Sequence, residues 1–261
     1  MLAREYLRRE SGLYAPVRRP LLADSTPTTL GSSNIGSGGG TQNVITTTAP
    51  VPAGNLVVVA AVSVASPFEG ISSVSDGTNT YTAGVTQTYN ASGLDDAVLY
   101  YHYYTSSLAS GSSITVTWAG VVTSAAAVSA QFTSVVPVSP FDSVASSSGS
   151  GASTTPSKAT GVLAKTSEIV FGALAWTNPG SANYTENSPF TNLYNNVANS
   201  SARLSLGYYI ARGTAAVTYA PTIAALSPFG IIVAPFTLID DSGSGMTIFK
   251  PNWPQNRQRW A

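Results

Sequence analysis

The sequence predicts an all-β protein: a β-sandwich or jelly roll built from two similar strand sets, with extended N- and C-terminal arms. Three observations predict it. Eight short runs are rich in β-branched and aromatic residues and are punctuated by Gly, Pro, Asn and Asp. No segment of the body shows convincing helical amphipathicity. Three runs of the first half recur, in the same order, in the second.

The runs are Leu56 to Val64, Ala97 to Tyr104, Ile114 to Trp118, Ala125 to Thr133, Glu168 to Trp176, Leu204 to Ala211, Ala215 to Tyr219 and Phe229 to Leu238. Between the first two, Ser75 to Tyr81 holds an Asp-Gly turn signal that predicts a hairpin. The segment at 55–64 matches 168–176, 99–119 matches 204–220, and 125–136 matches 228–239. These matches define half-repeats of about 54–136 and 162–240. Two copies are too few for a solenoid, and sheets packed face to face solve the same burial problem.

Composition narrows the class. Charged residues make up 9% of the 261, with twelve basic against twelve acidic side chains, while 36 Ser and 29 Thr supply a quarter of the chain. A hydrophobic content of 43% is enough for a core. The absence of Cys excludes thiol catalysis, Cys-ligated zinc and a disulfide scaffold. The N-terminus lacks the apolar stretch of a signal peptide, and the longest apolar runs are far shorter than the roughly 20 residues a membrane-spanning helix needs. The expectation is a soluble chain with no membrane partner.

Neutrality hides a partition. Residues 1–24 hold Arg4, Arg8, Arg9, Arg18 and Arg19 against three acids, and 246–261 hold Lys250, Arg257 and Arg259 against none. The remainder sets four cations against nine carboxylates. Gly/Ser-rich stretches at 26–41 and 240–245 read as linkers. The expected organisation is thus a basic arm and linker at 1–41, a body at 42–240 and a basic aromatic arm at 241–261. A polar stretch at 146–158 reads as the join between half-domains or sheets. Phe249, Trp253 and Trp260 make the last segment apolar enough to dock, while its prolines stop it folding by itself.

Within the body, alternation sends Leu204, Leu206, Tyr208 and Ile210 inward. Aligning Tyr103-Tyr104 with Tyr208-Tyr209 sends Leu99, Tyr101 and Tyr103 inward as well. Tyr100, His102 and Tyr104 then form an aromatic stripe on the opposite face. Three covers suit such a stripe: the chain's own linker or arm, a second subunit, or a glycan stacked on the rings. No catalytic, metal or cofactor residues are assigned. His102 is the single histidine and has no partners at a ligand spacing. There is no G-x-S-x-G elbow for a serine nucleophile. The adjacent carboxylates Asp95-Asp96 and Asp240-Asp241 point to opposite faces if extended, and read as turn or strand-end residues. Nothing selects Glu69, Glu168 or Glu186 for glycoside hydrolysis. Gly36 to Gly40 lacks the Lys-Ser/Thr of a P-loop, and the acidic body argues against nucleic acid.

The G-N-L-V-V-V-A strand at Gly54–Ala60, the S-D-G-T-N-T-Y-T turn at Ser75–Thr82, T-V-T-W at Thr115–Trp118 and P-F-D-S at Pro140–Ser143 resemble the β-sandwich modules of tailed-bacteriophage structural proteins and related bacterial surface proteins. The resemblance covers about residues 42–240. It implies a non-enzymatic virion protein made in the host cytoplasm, either a capsid decoration or cement protein or a head, tail or fibre accessory. Its partners would be major capsid or tail subunits and copies of itself. The alternative it implies is a carbohydrate-binding or adhesin module that meets a host-surface glycan. No active-site residue follows from it; the two basic arms favour incorporation into a lattice.

Overall fold

The structure, a computed structural model, describes residues 26–36, 38–65, 69–89, 95–177, 183–199 and 201–239, all within one compact unit, Ala23–Ile239. The first half contributes β1 (Thr28–Ile35), β2 (Gly40–Thr46), β3 (Leu56–Val64), β4 (Ile71–Ser75), β5 (Thr82–Tyr89), β6 (Asp95–Tyr103), β7 (Ser113–Val122) and β8 (Ser124–Phe132). The second contributes β9 (Ser147–Ser153), β10 (Lys158–Ala159), β11 (Glu168–Trp176), β12 (Tyr184–Thr185), β13 (Thr191–Asn199), β14 (Ala202–Ala211), β15 (Thr218–Tyr219), β16 (Thr222–Ile223) and β17 (Ser227–Thr237). The described residues form no helix, and the paired strands are antiparallel.

The repeat is a repeat of topology. One five-stranded sheet runs β1-β8-β3-β6-β5 and the other β9-β17-β11-β14-β13, so each strand of the first has a counterpart at the same place in the second. Each half then adds a smaller outer layer: the sheet β2-β7-β4 in the first, the ribbons β10-β15 and β12-β16 in the second.

Three cores separate the layers. Leu56, Val58, Ala60 and Val62 of β3 meet Phe171, Ala173, Leu204, Leu206 and Phe236 between the two large sheets. The other face of β3, Val57, Val59 and Ala61, packs with Ile45, Val74, Val116 and Trp118 of the first outer sheet. Val170, Leu174, Trp176, Ile231 and Val233 do the same beneath the ribbons, with Tyr184, Tyr219 and Ile223. Covering both faces of a sheet requires continuous apolar strands, and this is why β3, β8 and β11 read as unbroken apolar or small-residue runs instead of alternating.

The P-F-D-S segment is the joint between the halves. Phe141 packs on Tyr101 of β6 and Phe236 of β17 at ring-centroid distances of 5.4 and 5.3 Å. Asp142 gathers the backbone N–H groups of Val144, Ala145 and Ala164 at 3.2, 3.1 and 2.9 Å. A second tie crosses the opposite side. The Tyr194 hydroxyl of β13 accepts from Gly31 N–H at 2.8 Å and lies 2.9 and 2.8 Å from the carbonyls of Gly31 and Ser129. It fills the register shift between Thr29 and Gly31, where a Cβ on Gly31 would sit 2.6 Å from the Thr46 carbonyl oxygen. Tyr194→Phe is expected to leave that N–H unpaired and to cost about 1–3 kcal/mol, read as a lower denaturant midpoint. An unchanged midpoint would show that the hydroxyl does not join the halves.

Two expectations about organisation need correction. Thr26 to Thr41 is not a linker, because it contains all of β1 and the start of β2, and 146–158 is not a join, because it contains β9. Gly and Ser favour flexible chain when nothing pairs with them. Here β1 and β9 lie beside apolar strands, β8 and β17, that supply backbone partners along their length. Residues 1–25 and 240–261, which include both basic arms, lie outside the described residues.

Candidate functional site

Two acids occupy matching places, Asp76 directly after β4 and Glu186 directly after β12, and each accepts a hydrogen bond from a phenol. Asp76 Oδ1 takes the N–H groups of Thr78 and Asn79 at 2.9 and 2.7 Å, forming the turn that Asp-Gly signals in the sequence. Its Oδ2 accepts from Asn79 Nδ2 at 2.9 Å and from the Tyr104 hydroxyl at 2.5 Å. Tyr81 and Tyr104 hydroxyls lie 2.8 Å apart. Since the Tyr104 proton goes to Asp76, Tyr81 is the donor to Tyr104. His102 packs its ring on both tyrosines, at 5.5 and 4.9 Å.

The electrostatics make this a brace. Burial raises the Asp76 carboxyl, but the bonds from Asn79, Tyr104 and Thr78 more than offset it and hold it below the usual aspartate value. Burial, then the neighbouring Tyr81 and Asp76, push Tyr104 far above the ordinary phenol range, and burial does the same to Tyr81. Burial lowers His102, with the Asp76 charge opposing, which favours the neutral imidazole. General acid–base work needs a group titrating near the working pH. The two phenols are shifted away from it, and the Asp76 oxygens are already engaged.

In the second half the Tyr184 hydroxyl donates to Glu186 Oε2 at 2.5 Å and receives from the Tyr219 hydroxyl at 2.8 Å. Gly172 and Gly207, directly opposite each other on β11 and β14, make the room. The Tyr219 ring lies over Gly172 and the Glu186 carboxylate over Gly207, in the space that Cβ atoms would occupy. Tyr184 stacks on Trp176 at 5.8 Å and 14°. Burial raises the Glu186 pKa, with the bonds from Tyr184 and Asn187 opposing, and its Oε1 is buried without a hydrogen-bond partner. The signal for this cluster was in the sequence as two glycines inside apolar strands, a mark of close approach.

The outer face of the second half carries an open groove of about 490 Å³ between the Ser188–Pro189 turn and the 212–220 segment. Tyr209, Arg212, Thr218 and Ala220 line it, and the Arg212 guanidinium is held by Ser167 Oγ at 2.5 Å. A half-buried ring, a cation and hydroxyls around such a volume can seat a small polar ligand.

The predicted residues fall as follows. Tyr100, His102 and Tyr104 do share the face opposite Leu99, but that face is roofed by the outer sheet β2-β7-β4. Tyr104 is only 1% exposed, and Tyr100 and His102 are half-buried; of the three covers that suit the stripe, the chain itself supplies this one, through its outer sheet and not through a linker or arm. The sequence left the cover of this face open; a second apolar layer closes it. Asp96, read as a strand-end residue, is 2% exposed and stands opposite Ser63 on β3. The carboxylates considered for hydrolysis sit on separate elements: Glu69 against Gly120, Glu168 at the start of β11 and Glu186 over Gly207. Among the described residues no group of three or more His, Asp or Glu side chains is placed to hold a metal ion. Arg4, Arg8, Arg9, Arg18, Arg19, Phe249, Lys250, Trp253, Arg257, Arg259 and Trp260 lie outside the described residues. Comparison of the chain with family models, with curated proteins and with solved structures gives no match.

Proposed function

We propose that this chain is a non-enzymatic structural protein of a virion, a capsid decoration or cement protein or a head–tail accessory, docked through its basic arms onto capsid or tail subunits. One observation of the fold carries the proposal. The six outermost strands of the three larger sheets, β1, β2, β4, β5, β9 and β13, contain no Asp, Glu, Lys, Arg or Pro. Proteins that remain alone in solution guard such edges with charge, proline or bulges; register shifts interrupt five of the six, and β9 has none of these guards, as an edge packed among neighbours can. The charge partition of the sequence supports it, since basic arms on an acidic body attract one copy to the next.

Quantitative peptide mass spectrometry of purified particles tests the proposal. A ratio near unity to the main shell protein is expected for decoration or cement, and a few copies per particle for a tail or portal accessory; absence from particles overturns the proposal. Deleting residues 1–24 or 246–261 is expected to abolish incorporation while the sheets stay folded by circular dichroism. Normal incorporation of both truncations would remove the arms from the mechanism.

A further inference from the structure

β9 is the outermost strand of the second large sheet, and among the described residues of that sheet only β17 pairs with it. The unpaired N–H and C=O groups of an edge strand are a template for another strand unless charge, proline, a bulge or a cover blunts them. The other five outer strands are interrupted. In β1 the register shifts at Thr29/Gly31, and Leu30 O and Gly31 N–H are already bonded to Thr48 and Tyr194. β2 shifts at Gly40/Gln42, and β4 shifts at Ile71/Ser73. β5 shifts at Ala83/Val85, and the Gln87 amide covers the Thr88 carbonyl. β13 shifts twice and holds Asn196 at φ 51°. β9 alone pairs without a shift, through seven consecutive residues from Ser147 to Ser153.

We propose that the β9 edge pairs with the β9 edge of a second copy of this chain, antiparallel about a two-fold axis through Ser150, so that two five-stranded sheets become one continuous sheet. Charge and register select this occupant. A foreign strand is chosen by pockets or charge pairs along the edge, and β9 offers Ser, Gly and one Ala. Pairing with itself sets Ser150 opposite Ser150, Gly149 opposite Gly151, Ser148 opposite Ala152 and Ser147 opposite Ser153. Every residue of β9 then meets one from the same face, and β9 itself brings no charge to the seam, although Lys158 lies over Gly149 on one face beside it. Ser150, Gly151 and Ala152 are exposed at the centre of the seam. The pairing goes beyond the proposed function and does not depend on which particle takes up the chain.

The test is sedimentation velocity on the full chain over a wide concentration range. The wild type is expected to show concentration-dependent dimerisation. Ser150→Lys and Ser150→Glu, each checked for an unchanged circular dichroism spectrum, are expected to weaken it by about 10-fold or more, because each sets two like charges opposite one another at the axis. An equimolar mixture of the two variants is expected to dimerise again, with Lys facing Glu. A wild type that stays monomeric throughout overturns the proposal, and this includes the case in which another segment of the chain closes the edge. So does association of both single variants at wild-type strength, or a mixture no tighter than either alone. The arm truncations are expected to leave the dimer in place, so failure of arm docking and failure of edge pairing are read separately.

Discussion

Asp96→Asn is expected to stabilise the protein at pH 8 by about 2–4 kcal/mol and to have a far smaller effect at pH 4. Asp96 is 2% exposed, its Oδ1 has no hydrogen-bond partner, and the Ser63 hydroxyl opposite it is unpartnered too. Burial therefore pushes its pKa up to about 7 from 3.8, against a single opposing bond from the Ala97 backbone. A carboxyl with a folded pKa above its unfolded one favours the fold while protonated. Its contribution is complete below about pH 4 and is lost as the pH rises through 7. Glu168 has the same sign: burial and then the Asp142 charge push it up to about 7, with Lys165 opposing. Wild-type stability should thus fall between about pH 4 and 7, and Asp96→Asn should remove the Asp96 share of that fall. Denaturant midpoints at the two pH values measure it; an equal fall in variant and wild type would show that Asp96 is ionised in the fold at no cost.

Gly172→Ala is expected to lose roughly 3 kcal/mol, a large effect for one added methyl group. The new Cβ would stand 2.6 Å from Cγ and Cδ2 of Tyr219, a residue with no exposed surface. That ring cannot retreat freely, because Phe190 lies against it at 4.8 Å and its hydroxyl bonds Tyr184. Movement would loosen the Glu186 cluster as well, so the loss combines overpacking with a weakened buried network. Gly213→Ala is the control, since nothing lies within 4 Å of its added methyl group, and it should be close to neutral. Equal midpoints for the two variants would mean that the slot is not a tight fit.

The central strands were legible to the residue. Leu56–Val64 and Glu168–Trp176 begin and end where the sequence runs do, because burial on both faces makes these strands almost continuously apolar. The outer strands were not legible for the opposite reason. β1 and β9 draw their order from a neighbour's backbone, and nothing in the Gly and Ser of Ser147–Ser153 distinguishes a paired edge from a tether. The run Ala215 to Tyr219 shrinks to the two residues of β15, since the outer layer of the second half is split into ribbons. Face assignment succeeded from alternation: Leu99 and Leu204 do point to the central core. Exposure was not legible, because the sequence of one strand says nothing about whether another sheet will lie across it. The same gap hid the two acid–tyrosine clusters, whose members come from distant turns and strands.

The shared core between the two large sheets gives neither half a finished surface of its own. Leu56, Val58, Leu204 and Leu206 would all face water if the halves parted. The molecule is in effect a dimer of two units of like topology whose partners travel on the same chain, held by the Phe141–Asp142 joint at an effective concentration that dilution cannot lower. Such an arrangement lets each outer layer differ while the inner one is shared: a single three-stranded sheet covers the first half, and split, grooved ribbons cover the second.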